Sequence, residues 1–449
     1  MNKPTIVAPG GSYDKAMVAS HYGAEEVYVG VPFTSLRMRQ NKIYNFDSLK
    51  KTIDDLHKNG SKALLTMNIF PRNMDIKIFE QTVEKIADVG ADAIIFSDPG
   101  TFRIIRKYMP DIPLHMSTQA STMNYAAVQF WKDMGIKRIV FARELNIEEI
   151  KEIREKVPGM EIEVFVHGSM CMTYSGRCHL GDYMSGRPGN KGECSHACRF
   201  KYKVRLEEER RPGKFFQVDS DEDGSYILSS KDLCTIDRLK EIIPYVDAIK
   251  IEGRSKSEFY VGGIVKAYKH VRDAIIANTP IDPAVANIVN VIPHRAYRDG
   301  FLFHKLNEFP EGETDIVDQT IQKSIATSAT TSDEETVVTT TLDSAGPLFN
   351  RNYFGMFSDQ FIEHNGKKYF HIDPKEIITA GMKLKYLTPT SMGELEILDI
   401  LDTKGNTLEK AHCNTKDLYI LTDKNLEGRE ILYTDKYDQQ APESEQGTC

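Results

Sequence analysis

Three phrases of the sequence repeat one grammar, and that repetition limits what the chain can fold into. "HYGAEEVYVG" (21–30), "DVGADAIIFSD" (88–98) and "DMGIKRIVFAR" (133–143) each finish a helical stretch, turn at a glycine and enter a short apolar run. Glycine supplies the left-handed residue that ends a helix. A strand that is apolar on both faces belongs in a parallel sheet covered by helices. Strand candidates recur at 5–9, 26–30, 62–68, 93–98, 113–119, 138–143, 162–168, 225–230 and 247–253. Between them, Leu49, Ile53 and Leu56 fall at helical spacing before Gly60, and Phe79, Val83 and Ile86 before Gly90. About eight such units before residue 275 predict a TIM-barrel-like (β/α)8 domain over residues 1–280. Nine candidates for eight staves place one outside the barrel. No G-x-G-x-x-G follows a strand, which argues against a dinucleotide-binding sheet.

Beyond the barrel the pattern changes. Residues 281–335 read as a connecting segment ending in the Ser/Thr/acidic run "SIATSATTSDEET". Residues 336–435 alternate short β-rich runs with turns such as "HNGKK" and "TKGNT", predicting a small all-β barrel or sandwich. The tail 436–449 reads as disordered. No stretch approaches the roughly 18 apolar residues of a membrane span, and "MNKPTIVAPGG" has no apolar signal core, so a cytoplasmic, membrane-free protein is expected. A net charge of −8 offers no global footprint for nucleic acid. The run "CRFKYKVRLEEERR" is locally basic: Arg199, Lys201, Lys203 and Arg205 share one face, either solvated or contacting phosphate.

Chemistry in such a barrel belongs where the strands end. Those ends offer Asn68, Asp98, Ser117, Thr118, Gln119, Arg143, Glu144, His167, Ser169, Lys231, Asp232, Glu252 and Arg254. Any one could be a helix cap; together they predict a mouth built for something polar or anionic. After the seventh strand comes an insertion, about 168–225, holding Cys171, Cys178, Cys194 and Cys198, with Cys234 beyond it. Seven cysteines in 449 residues do not make a disulfide scaffold. Cys171, Cys178, Cys194 and Cys234 could converge on a metal centre, whose binding would order a stretch poor in apolar contacts. Inert thiols, structural Zn2+ and an iron–sulfur cluster all remain open on spacing. His167 and Cys171 could also form a base–thiol pair. No H-E-x-x-H or G-x-S-x-G occurs.

"EVFVHGSMCMTYSGRC" (163–178) and "GECSHACRFKY" (192–202) closely resemble the signature of the collagenase-like peptidase family of unassigned catalytic type. "APGGS", "SLRMRQN", "TMNIFPRN", "STQASTMN", "IVFARELN", "IKIEGRSKS" and "HRAYRDGF" extend the match over about two thirds of the chain. The family name implies proteolysis. Its prephenate-dependent tRNA uridine hydroxylase branch, which this chain resembles most, implies oxygen-independent formation of 5-hydroxyuridine at the tRNA wobble position. That resemblance implies a 4Fe-4S cluster on Cys171, Cys178, Cys194 and Cys234, and prephenate as an anionic co-substrate. Other branches imply hydroxylation of ribosomal RNA or of a small molecule. Guanidinium forks suit carboxylates, so Arg37, Arg39, Arg143 and Arg254 are the expected anion binders, with Asn68, Gln119 and Lys250 also expected to bind substrate. His167 is the expected proton-transfer group, and Ser169, Tyr174 and Glu252 are further catalytic candidates.

Overall fold

A computed structural model describes residues 3–36, 41–171, 173–199, 219–221, 224–226, 231–295, 297–303, 353–413, 415 and 417–434. Eight parallel strands form the staves of a closed barrel. These are β1 (Thr5–Gly10), β2 (Glu26–Gly30), β3 (Lys62–Met67), β4 (Ala93–Phe96), β5 (Leu114–Met116), β6 (Arg138–Val140), β7 (Glu161–Ser169) and, after an interruption, β11 (Ala248–Ile251). The ring closes because β11 pairs in parallel with both β7 and β1. The interruption holds a two-stranded hairpin, β8 (Asp219–Asp221) with β9 (Gly224–Tyr226), and then β10 (Asp232–Cys234). The candidate strand at 225–230 is therefore no stave: only its first two residues lie in β9, and 227–230 fall outside the described residues.

The outer layer comprises α1 (Tyr13–His21), α2 (Phe46–Lys58), α3 (Asn73–Ile86), α4 (Pro99–Tyr108), α5 (Tyr125–Asp133) and α6 (Ile147–Lys156). A six-residue α7 (Leu180–Ser185) lies in the insertion, and α8 (Leu239–Ile242) and α9 (Glu258–Ala277) complete the ring. Strand alternation sorts the core into two compartments. Ile6, Val27, Leu65, Ile94 and Met116 face the helices and join the main core. Val7, Tyr28, Leu64, Ile95 and Ala248 form a separate cluster inside the barrel. Helix entries are fixed at the strand-end side by Ser12, Asn45, Asp98, Asn124 and Asn146, each accepting a backbone N–H of the first turn. Asp98 is thus a cap, with its carboxylate spent on the N–H groups of Gly100 and Thr101.

Residues read from sequence as connecting chain belong partly to the barrel domain. Two helices, α10 (Pro283–Ala286) and α11 (Ile288–Val291), precede β12 (Tyr297–Arg298), which pairs with β10. The C-terminal unit comprises β13 (Tyr353–His364), β14 (Lys367–Ile372), β15 (Ile378–Thr379), β16 (Lys383–Leu387), β17 (Met392–Leu401), β18 (Lys410–Ala411), β19 (Leu418–Thr422) and β20 (Ile431–Tyr433). Six of these close an antiparallel barrel in the order β13-β14-β19-β17-β16-β20, while β15 pairs with β18. It packs on α1 and α9 through Phe259 stacked on Tyr433 and Tyr22 donating to the Leu387 carbonyl at 2.7 Å. The Lys266 ammonium donates to the carbonyls of Thr388 and Pro389. Among the described residues no helix is long and apolar enough to cross a membrane. The basic run at 200–211, the acidic Ser/Thr stretch and the tail lie outside the described residues.

Candidate active site at the barrel mouth

Sixteen residues line a cavity of about 110 Å³ at the C-terminal ends of the staves. It brings together Asn68, Ser117, Thr118, Gln119, Arg143, Ser169, Cys171, Lys250, Glu252 and Arg254, ten of the residues named above, from five strand ends and the insertion. A larger space of about 900 Å³ lies on the flank between α6 and α8, among Glu148, Glu149, Glu152 and Glu241. No strand residue contributes to that wall, so the mouth is the candidate site.

Each mouth cation is held differently. Arg254 donates to Ser35 Oγ and to the Leu36 carbonyl, both at 2.8 Å. Gly30 makes its place possible: a Cβ there would stand 1.9 Å from the Arg254 guanidinium. The Arg143 guanidinium lies over Phe165, its carbon 3.7 Å from the ring centre, and among the described residues makes no ion pair. Lys250 donates to Glu163 at 2.6 Å and stands 4.5 Å over the Tyr28 ring. Tyr28 in turn donates to Glu252 Oε2 at 3.2 Å.

Beneath the mouth lies a charged network. Arg138 pairs with Glu26 at 2.5 Å, Glu161 at 2.9 Å and Glu163 at 3.1 Å. Burial pushes Glu163 up, but Lys250 and Arg138 outweigh it and hold the carboxyl at about 2. Burial, reinforced by Arg138, drives His115 down to about 3 and keeps it neutral. Glu26, Arg138 and Glu163 were not among the residues expected at the site. A charge at the edge of an otherwise apolar run is the one trace they leave in the sequence, and it does not tell the inward face from the outward one.

The insertion is pinned across the mouth. Ser175 N–H donates to Glu144 at 2.8 Å, Ser121 Oγ to the Ser175 carbonyl at 2.8 Å, and Phe70 N–H to the Asn190 carbonyl at 3.0 Å. Lys191 pairs with Asp75 at 3.1 Å. Gly176, at φ +76°, lies so close to the 118–120 turn that a Cβ would meet the Gln119 carbonyl at 2.0 Å. Cys171, Cys178, Cys194, Cys198 and Cys234 are in no disulfide. Among the described residues only His371, Asp373 and Asp417 bring three ligand atoms within 4.8 Å of one another. The thiols therefore do not gather to the spacing of a single tetrahedral ion, which needs sulfurs each ~2.3 Å from one centre. An iron–sulfur group is wider and takes thiolates alone. The donor set of Cys171, Cys178, Cys194 and Cys234, all thiols and none in a disulfide, fits that chemistry.

Other expected site residues lie apart. Arg37 and Arg39 fall outside the described residues. Tyr174 is exposed on the insertion and does not line the cavity. The β7–β11 register shifts at this point, so that Ile251 opposes His167. His167 is buried outside the cavity lining among the rings of Tyr260, Tyr268 and Tyr297. Burial lowers its pKa to about 3. Cys234 does not face the mouth either. It sits on β10, antiparallel to β7 and opposite His167, with Tyr268 Oη 3.8 Å from its sulfur. Asp232 is engaged by Arg295.

A parallel barrel whose polar, cationic mouth is covered by a cysteine-bearing insertion defines an enzyme of the (β/α)8 type. The chain belongs to peptidase family U32, whose model matches residues 11–309. It is 37% identical over 340 residues to tRNA hydroxylation protein P of Escherichia coli K12, covering 67% of this chain and 75% of that one. A second relative, 23S rRNA 5-hydroxycytidine C2501 synthase of the same organism, is 32% identical over 60% of this chain and 39% of its own. An uncharacterized protease of Methanocaldococcus jannaschii is 33% identical over 68% of this chain and 74% of its own.

Proposed function

We propose that this chain hydroxylates RNA, with tRNA as its substrate and the C5 position of the wobble uridine as its target. The observation that carries the reading is the mouth itself. It gathers Arg143, Lys250, Glu252 and Arg254 with Cys171 of the cysteine-bearing insertion, in a chain similar to tRNA hydroxylation protein P.

Arg143 and Arg254 would grip the carboxylates of an anionic co-substrate, for which prephenate is the proposed identity. Arg254 is pre-oriented by Ser35 and Leu36, and Arg143 by the face of Phe165. Lys250, neutralised by Glu163, adds a donor more than a net charge. Asn68 and Gln119 offer amide donors and acceptors for a base edge. Glu252, steadied by Tyr28, is the carboxylate placed to take a proton at the mouth. Cys171, Cys178, Cys194 and Cys234 would hold a 4Fe-4S cluster, which when bound supplies one-electron transfer.

Unmodified tRNA incubated without oxygen with the purified chain and prephenate tests this reading. A uridine nucleoside heavier by one oxygen atom is expected by mass spectrometry. An unchanged nucleoside profile, with full iron loading, would overturn it.

A further inference from the structure

The large apolar side chains that stand furthest into water share one side of the barrel. The four most exposed among the described residues are Tyr183 at 88%, Met74 at 75%, Tyr44 at 73% and Phe33 at 62%. All four stand on the mouth side of the barrel. Phe33 and Tyr44 lie in the loop leaving β2, Met74 in the first turn of α3, and Tyr183 on α7 of the cap. The next most exposed, Phe130 at 55%, is on α5 of the flank. Single exposed apolar residues need no explanation, whereas their concentration around one opening does.

The charge of the cap points to the occupant. Residues 170–199 carry Arg177, Arg187, Lys191 and Arg199 against Asp182 and Glu193. Asp75 pairs with Lys191, so the arginines supply the excess positive charge, on a chain of net −8. Arg177 is exposed beside Tyr174, itself exposed. Aromatic faces interleaved with guanidinium and ammonium groups are the recognition chemistry of splayed single-stranded RNA, in which bases stack on rings while cations track the phosphates. Duplex RNA offers no unstacked base to such a surface.

We infer that this rim, with Tyr183 and Tyr44 as its principal stacking faces, binds the single-stranded nucleotides flanking the base that enters the mouth. The inference rests on the proposed RNA hydroxylase reading and adds to it the surface and the strandedness of the substrate. The rim anchors the flanking bases, the cap cations hold their phosphates, and the cavity receives the target base alone.

The test is fluorescence anisotropy of the full chain with a short labelled single-stranded RNA and with a duplex of the same length. The single strand should bind and the duplex should bind far more weakly. Stacking is worth ≈1–3 kcal/mol per base, so Tyr183→Ala and Tyr44→Ala should each weaken binding roughly 5- to 150-fold. Tyr183→Phe, which keeps the ring, should stay within about twofold, and Phe130→Ala should change nothing. Wild-type affinity in both alanine variants, or duplex binding as tight as single-strand binding, overturns the inference. If those variants also sustain tRNA hydroxylation in cells, the rim assignment fails while the hydroxylase reading stands. If the wild-type chain binds no RNA and its deletion leaves tRNA unchanged, the hydroxylase reading fails and the rim with it.

Discussion

Replacing Glu163 by glutamine keeps the shape of a fully buried side chain and removes its charge. Arg138 retains Glu26 and Glu161 after the change, but Glu163 is the only ion-pair partner of Lys250 among the described residues. The ammonium would be left uncompensated inside the barrel, a defect worth about 3–5 kcal/mol. Lys250→Met should cost less, about 2 kcal/mol, because Glu163 then keeps Arg138 at 3.1 Å. The double variant should be more stable than the sum of its parts by roughly 2 kcal/mol. Urea unfolding followed by tryptophan fluorescence is the assay. The single tryptophan, Trp131 on α5, packs edge-on against Phe96 and so reports the barrel rather than the C-terminal unit. A Glu163→Gln transition within 1 kcal/mol of wild type, roughly the error of a single linear extrapolation, would refute the account of the barrel interior.

Four further outcomes follow from the same geometry. His115, neutral in the fold down to about pH 3, takes a proton in the unfolded chain near 6.5, so stability falls as pH drops through that window. Between pH 7 and pH 5 it should contribute a loss of about 2 kcal/mol that His115→Asn abolishes in paired urea titrations. Glu163 adds its own loss only lower, between about 4.5 and 2, where the unfolded chain protonates first. Gly30→Ala should displace Arg254 and raise the KM for the anionic co-substrate about tenfold or more, with kcat less affected in steady-state assays. Protein purified without oxygen should carry about four irons and four sulfides per chain by elemental analysis, lost in Cys178→Ser and kept in Cys198→Ser.

The barrel was legible because βα units announce themselves: Gly23, Gly90 and Gly135 end helices at φ values that favour glycine, and the runs that follow are apolar on both faces. Much of the mouth was legible for the same reason, since residues just past a stave gather at the opening, although Asp98 turns back to cap its helix and Glu144 holds the insertion. Two features were hidden. The network of Glu26, Arg138 and Glu163 looks in sequence like surface charge, because nothing local tells an inward position from an outward one when the partner lies 112 residues away. The outward placement of His167 depends on a register shift against β11, a pairing made across some 80 residues of intervening chain. The setting of Cys234 was hidden for a related reason, because an antiparallel strand laid beside the end of β7 breaks the parallel grammar of the barrel.

The most direct test of the RNA-hydroxylase reading is nucleoside mass spectrometry of total tRNA from cells lacking this gene, with and without the wild-type chain restored. Wobble uridines should lose the 5-hydroxyl and its derivatives in the deletion and regain them on restoration, but not with Arg254→Ala. Hydroxylated uridine at the parental level in the deletion strain, in the absence of a second enzyme of the same activity, would contradict it.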